Sequence, residues 1–267
     1  MYSYYSEGFF GYGEKGDFKY FSFWHILPIL LLIVSIILTF IFREKIRSFK
    51  QEKKIRFILA FVMIIVEMSY FWRLLYVGDE SGDANMLTKL PLQLCQWGLI
   101  CSAFALMSLN DRLFGINFFI SLSFTTIALF MPAVITKTGP RYYRYYQFFL
   151  EHELPIYSVF YMMFVNQKKV RYTDIFITIG ACIPLAILCM IANANIKNAT
   201  FMYLKNKENA GELGKNLTTL FPNNQYIRFA IFFVIGIGLF HLEYLIYNLI
   251  TNRKNKKIKK EEVNETI

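Results

Sequence analysis

No stretch of this sequence stays polar for long enough to fold as a separate soluble domain, and that absence decides the class before any motif is read. There is no internal repeat, no glycine-rich phosphate loop and no nucleotide fingerprint. The four cysteines, Cys95, Cys101, Cys182 and Cys189, form no CxxC pair and avoid the connecting segments, so neither a disulfide framework nor a zinc site is indicated. No cofactor motif and no metal-ligand set stands out. The residues ahead of the first apolar run, "MYSYYSEGFFGYGEKGDFKYFSFW", lack a basic n-region, and no small-residue cleavage site follows, so the first run is expected to be retained rather than removed as a signal peptide.

What the sequence does have is long apolar runs. Of its 267 residues, 55% are hydrophobic and 18% aromatic. A helix needs about 20 apolar residues to cross a bilayer core of roughly 30 Å. Seven such runs lie near 21–42, 56–76, 90–109, 113–135, 145–166, 173–193 and 227–250. They predict an all-α polytopic membrane protein of seven transmembrane helices, in one domain over residues 1–250 with a basic tail at 251–267.

The net charge of +10 is placed for a membrane and not for nucleic acid. With the N-terminus outside, the inner segments hold 17 Lys and Arg and the outer segments 11, as the positive-inside rule prefers. The first connection, "REKIRSFKQEKKIR", and the tail, "NRKNKKIKK", dominate that balance and suit contact with anionic lipid head groups. The expectation is a multi-pass protein of the cell membrane with a cytoplasmic C-terminus and membrane lipids as partners. Nothing in the sequence fixes an oligomeric state.

That orientation gives each polar residue a depth, at about 1.5 Å per helical residue. Cys95 falls roughly 8 Å below the outer edge, His152 about 10 Å, His25 about 6 Å, Glu67 about 13 Å and Arg73 about 5 Å. Five polar groups thus share the outer third. Cys95 stands in "LPLQLCQWG" between Gln93 and Gln96, an unusual choice for hydrocarbon. A thiol and a histidine brought together can carry acyl transfer, and a glutamine amide can donate to the developing oxyanion or can hold helices together. Glu67 and Arg73 stand about 240° apart around their helix, so each should seek a partner elsewhere.

Five stretches in order carry a resemblance: "FSFWH", "LPLQLC", "FFLEHELPIY", "ATFMYLKNK" and "LFPNNQYI". The chain resembles the YwaF family of bacterial integral membrane proteins, related to eukaryotic seven-helix membrane proteins described as phospholipid acyltransferases acting through a cysteine and a histidine. The resemblance covers most of the chain and implies Cys95 as nucleophile and His152 as base. Where that family's pattern reads "LPLHLC" this chain has Gln93, and its "NYMYL" reads Thr200 to Leu204. Three functions remain open on the residues. The first is a lipid acyltransferase or hydrolase using Cys95 and His152, with Gln93, Gln96, His25, Glu67 and Arg73 around the substrate. The second is a transporter or channel lined by Glu67, Arg73, His241 and Glu243. The third is a non-catalytic assembly or sensor protein.

Overall fold

A chain in lipid has to satisfy its own backbone hydrogen bonds, and this one does so with helices. The computed structural model describes residues 8–11, 18–77, 86–132, 138–204, 221–222 and 224–265, with side chains described as far as Asn252, and no strand occurs among the described residues. In chain order the helices are α1 (Phe23–Ile41), the short α2 (Arg43–Arg47), α3 (Glu52–Val77), α4 (Leu94–Ser108), α5 (Asp111–Ile120), α6 (Thr126–Phe130), α7 (Tyr143–Phe164), α8 (Thr173–Asn195) and α9 (Gln225–Glu265). A π-helical turn, Ser121–Thr125, joins α5 to α6. Single 3-10 turns occupy Met86–Lys89 and Phe201–Tyr203.

Five stretches are long and apolar enough to cross a membrane: Phe23–Ile41, Glu52–Val77, Asp111–Phe130, Thr173–Asn195 and Gln225–Asn252. Each falls on one of the expected runs. The run near 90–109 holds α4, which is apolar but only 15 residues long. The run near 145–166 lies in the 22-residue α7, which carries Arg144, Glu151, His152 and Glu153. The backbone of the expected tail continues α9 as far as Glu265.

Cations close one end of the bundle. Arg47 donates to the carbonyls of Phe164 (2.7 Å) and Val165 (2.8 Å), and Arg56 donates to that of Leu106 (2.5 Å). Lys168 reaches the Leu109 carbonyl and Asp111. Each takes up oxygens that the end of a helix leaves without an intrahelical donor, where the helix dipole also favours positive charge. At the opposite end Arg73 donates to the carbonyls of Phe10 (2.9 Å) and Gly11 (3.0 Å), and the Tyr143 N–H to that of Phe9 (2.7 Å). A short N-terminal segment is thereby strapped across the ends of α3 and α7.

The core is apolar and lies among α3, α4, α5 and α7, with Met63, Leu99, Leu106, Phe114, Phe119 and Met162 fully buried. A buried asparagine fixes its register: Asn117 accepts from Ser102 of α4 (2.5 Å) and Ser121 (2.6 Å) and donates to Ser158 of α7 (2.9 Å). Gly115 lets α8 approach α5, because a Cβ there would stand 2.7 Å from that of Asp174. In α1, Pro28 has no N–H to give the Trp24 carbonyl one turn back, and the Tyr145 hydroxyl of α7 donates to it instead. A proline that weakens one helix thus pins it to another.

Candidate functional site

The start of α4 organises the polar layer. Gln93 precedes the helix in extended backbone, and its N–H donates to Oε1 of Gln96 (3.2 Å). Gln96 turns its Nε2 to Oε1 of Glu67 on α3 (2.9 Å), so both ends of its amide are committed. Gln93 is different. Its Oε1 accepts from the Met202 N–H (2.9 Å), while its Nε2 donates to nothing among the described residues and is held in direction by the bond its oxygen makes. Cys95 sits half-buried in the first turn of α4, a free thiol whose sulfur lies 3.9 Å from the Phe124 carbonyl in the π-helical turn. The N–H groups of that first helical turn have no carbonyl four residues back to receive them.

One face of α7 meets this patch. Arg144, Gln147 and Glu151 are spaced three and four residues apart, which stacks them on one side of the helix. Arg144 donates to Gln147 and pairs with Glu151 (3.2 Å), and its guanidinium lies 4.5 Å from the centre of the Tyr70 ring. Gln147 donates to Glu151 (3.0 Å) and to the Val66 carbonyl (3.3 Å). Glu67 is within electrostatic reach of both Glu151 and Arg144, and its Oε2 is buried without a hydrogen bond. The Arg144 guanidinium thus pairs with Glu151 and lies within electrostatic reach of Glu67.

His152 follows on α7, 5% exposed. Its Nδ1 donates to the Phe148 carbonyl (2.7 Å), and its ring lies against that of Phe148 at 4.3 Å between centres. A carbonyl can only accept, so the proton of the neutral ring is on Nδ1 and the lone pair on Nε2. Nε2 makes no hydrogen bond among the described residues. No hydrogen bond joins Cys95 to His152; the helices that carry them, α4 and α7, pack together.

The remaining expected residues are placed elsewhere. His25 is fully buried with both nitrogens engaged: Nδ1 accepts from the Phe21 N–H (2.9 Å) and Nε2 donates to the Leu129 carbonyl (2.8 Å). Arg73 holds the N-terminal strap. His241 meets the hydroxyl of Tyr172, which precedes α8 (3.2 Å), whereas Glu243 accepts from Ser123 of the π-helical turn (2.7 Å), so the two reach different neighbours from α9.

A further element touches the patch through Gln93. In the turn Phe201–Tyr203, Met202 (φ 54°) and Tyr203 (φ 55°) both adopt left-handed backbone without being glycine. Side chains from three parts of the chain hold it. Asn193 of α8 accepts from the Phe201 N–H (2.7 Å) and donates to its carbonyl (3.1 Å). Gln93 takes the Met202 N–H, and the fully buried Arg228 of α9 donates to the Tyr203 carbonyl (3.0 Å) and to those of Phe221 and Pro222 (3.2 Å each). Burial, and next the proximity of Cys95, push the Tyr203 phenol up to about 12, so it is an O–H donor at neutral pH.

A model of the TMEM164 family matches residues 20–244. The chain belongs to the TMEM164 family. No curated protein and no solved structure matches it. The family match and the apolar helices make this TMEM164-family chain a multi-pass membrane protein. The matched span contains α4, α7 and the Phe201–Tyr203 turn, so the whole polar patch lies within the family's extent.

Chemically, this TMEM164-family patch offers a thiol, a neutral imidazole with an open nitrogen, an oriented amide and the Leu94 and Cys95 N–H groups at the start of α4, all embedded among apolar helices. Sequence reasoning missed Arg144, counted as a connecting residue, and with it the Arg144–Gln147–Glu151 face. Its helical spacing was the available signal. Asn193 and Arg228 carried none, because their role is to hold backbone that is distant in sequence.

Proposed function

We propose that this protein is a membrane lipid acyltransferase or a related hydrolase in which Cys95 is the nucleophile. The observation that carries the reading is the state of His152: its Nδ1 is occupied by the Phe148 carbonyl and its Nε2 is open, on a helix packed against the one that begins with Cys95. The Cys95 sulfur attacks the acyl carbonyl carbon, and the thiol proton passes to Nε2 of His152, directly or through one water. Gln93 Nε2 and the N–H groups of Leu94 and Cys95 at the start of α4 donate to the oxyanion. Its collapse expels the alkoxide, which takes the proton from His152, and leaves an acyl thioester on Cys95. An acceptor hydroxyl or water then attacks the thioester, its proton passing to His152 and on to the departing thiolate. Gln96 and Glu67 hold α4 against α3 beneath this chemistry, and Arg73 secures the strap above it.

The same reading takes α4 and α7 as spans beside the five longer stretches, giving seven helices with the N-terminus outside and the basic residues of α9 at the inner leaflet of the cell membrane, against anionic head groups. The likeness to the YwaF family and its acyltransferase relatives supports it. So does burial: Arg144 and Arg228, counted with the outer segments, and Arg56, counted with the inner ones, are all inside the bundle, which lowers the outer count by two and the inner by one and sharpens the asymmetry.

The test is labelling by an acyl-chain probe bearing an electrophile. Cys95 should react faster than Cys101, Cys182 or Cys189, and His152→Ala should slow Cys95 at least about a hundredfold, the usual scale of general base catalysis, with the melting temperature retained. Equal labelling of folded wild type and His152→Ala rules out the thiol-base mechanism.

A further inference from the structure

We infer that the Tyr203 hydroxyl is a further catalytic group, donating a hydrogen bond to the oxyanion when the Cys95 sulfur adds to an acyl carbonyl. The inference rests on the acyl-transfer reading above and adds to it a residue from a different part of the chain. Its first support is placement. The Met202 N–H bonds the side chain of Gln93, two residues before Cys95, so Tyr203 is carried on a turn fastened to the same segment as the thiol.

The second support is effort. Non-glycine residues in left-handed backbone cost of order 1–3 kcal/mol each, and they persist where surroundings force them and cluster at functional sites. Here two in succession are held by Asn193, Gln93 and Arg228 from three separate regions, and Arg228 is fully buried to do so. A turn needed only as a connection would not require that clamp.

The third support is the hydroxyl itself. It makes no hydrogen bond among the described residues, so the fold does not use it, and Cys95, Arg144 and Tyr20 lie within its electrostatic reach. Addition of the sulfur to a carbonyl creates a negative oxygen that needs donors arranged in advance, and a phenol that stays protonated supplies one without giving up its proton. Atoms and protons therefore balance as in the mechanism above. Only the hydrogen-bonding of the intermediate changes.

Tyr203→Phe keeps the ring, the turn and its clamps and deletes one oxygen. In detergent-solubilised full-length protein, two probes of the same chain length are compared at Cys95. A p-nitrophenyl ester acylates through a tetrahedral oxyanion; a haloacetamide alkylates by direct displacement and forms none. Tyr203→Phe should slow acylation by about a hundredfold or more, the usual loss for one oxyanion donor, and leave alkylation and the melting temperature unchanged. Acylation at the wild-type rate overturns the inference, and equal slowing with both probes overturns it too, because it would assign Tyr203 to access rather than to the oxyanion. If wild-type Cys95 takes the haloacetamide but not the ester, the acyl-transfer reading itself falls, and the inference falls with it.

Discussion

Gln93 and Gln96 look interchangeable in the sequence and are not so in the fold. Gln96 spends both ends of its amide on Gln93 and Glu67, while Gln93 keeps its Nε2 available. The same scale separates the charges. Arg144 pairs with Glu151, so Arg144→Leu leaves that buried carboxylate uncompensated and should cost about 3–5 kcal/mol. Glu67→Gln should instead melt no lower than wild type, since the new amide still accepts from Gln96 and the repulsion from Glu151 disappears. Thermal unfolding in detergent tests both, and a Glu67→Gln variant as weak as Arg144→Leu would mean that the carboxylate charge is itself required. Residue types could be read in advance for Cys95, His152 and Glu67. Which amide end or ring nitrogen each would offer could not, because that depends on partners tens of residues away.

Elements were legible where apolar length marks them, and all seven runs contain helix. The π-helical turn Ser121–Thr125 was not, since a local widening of the helix leaves hydropathy unchanged while redirecting Ser123 to Glu243 and the Phe124 carbonyl toward Cys95. Proline in α1 gives a prediction at this scale. Tyr145→Phe removes the donor to the part-buried Trp24 carbonyl and should cost about 1 kcal/mol, the usual net worth of one hydrogen bond. In a Pro28→Ala background the residue at 28 has its own N–H for that carbonyl, so the cost of Tyr145→Phe should shrink. Equal losses in the two backgrounds, measured as a double-mutant cycle by thermal melting, would show that Tyr145 stabilises α1 through its ring alone.

At the scale of the molecule, the membrane class followed from composition, whereas the meeting of α3 and α7 around one guanidinium required the fold. The proposed orientation predicts that a chain whose only thiol is Asn255→Cys is shielded from a membrane-impermeant maleimide in intact cells and labelled after permeabilisation. Ready labelling in intact cells would invert the bundle and move the polar patch to the cytoplasmic half. The Arg228 clamp also bears on the order in which the protein is made. A ribosome delivers α4, α7 and the Phe201–Tyr203 turn before it delivers α9, and until α9 arrives the carbonyl of Tyr203 lacks its guanidinium donor. The turn therefore gains this support only once α9 is inserted, so a chain interrupted before Gln225 and already embedded in lipid holds Cys95 beside an unfinished wall.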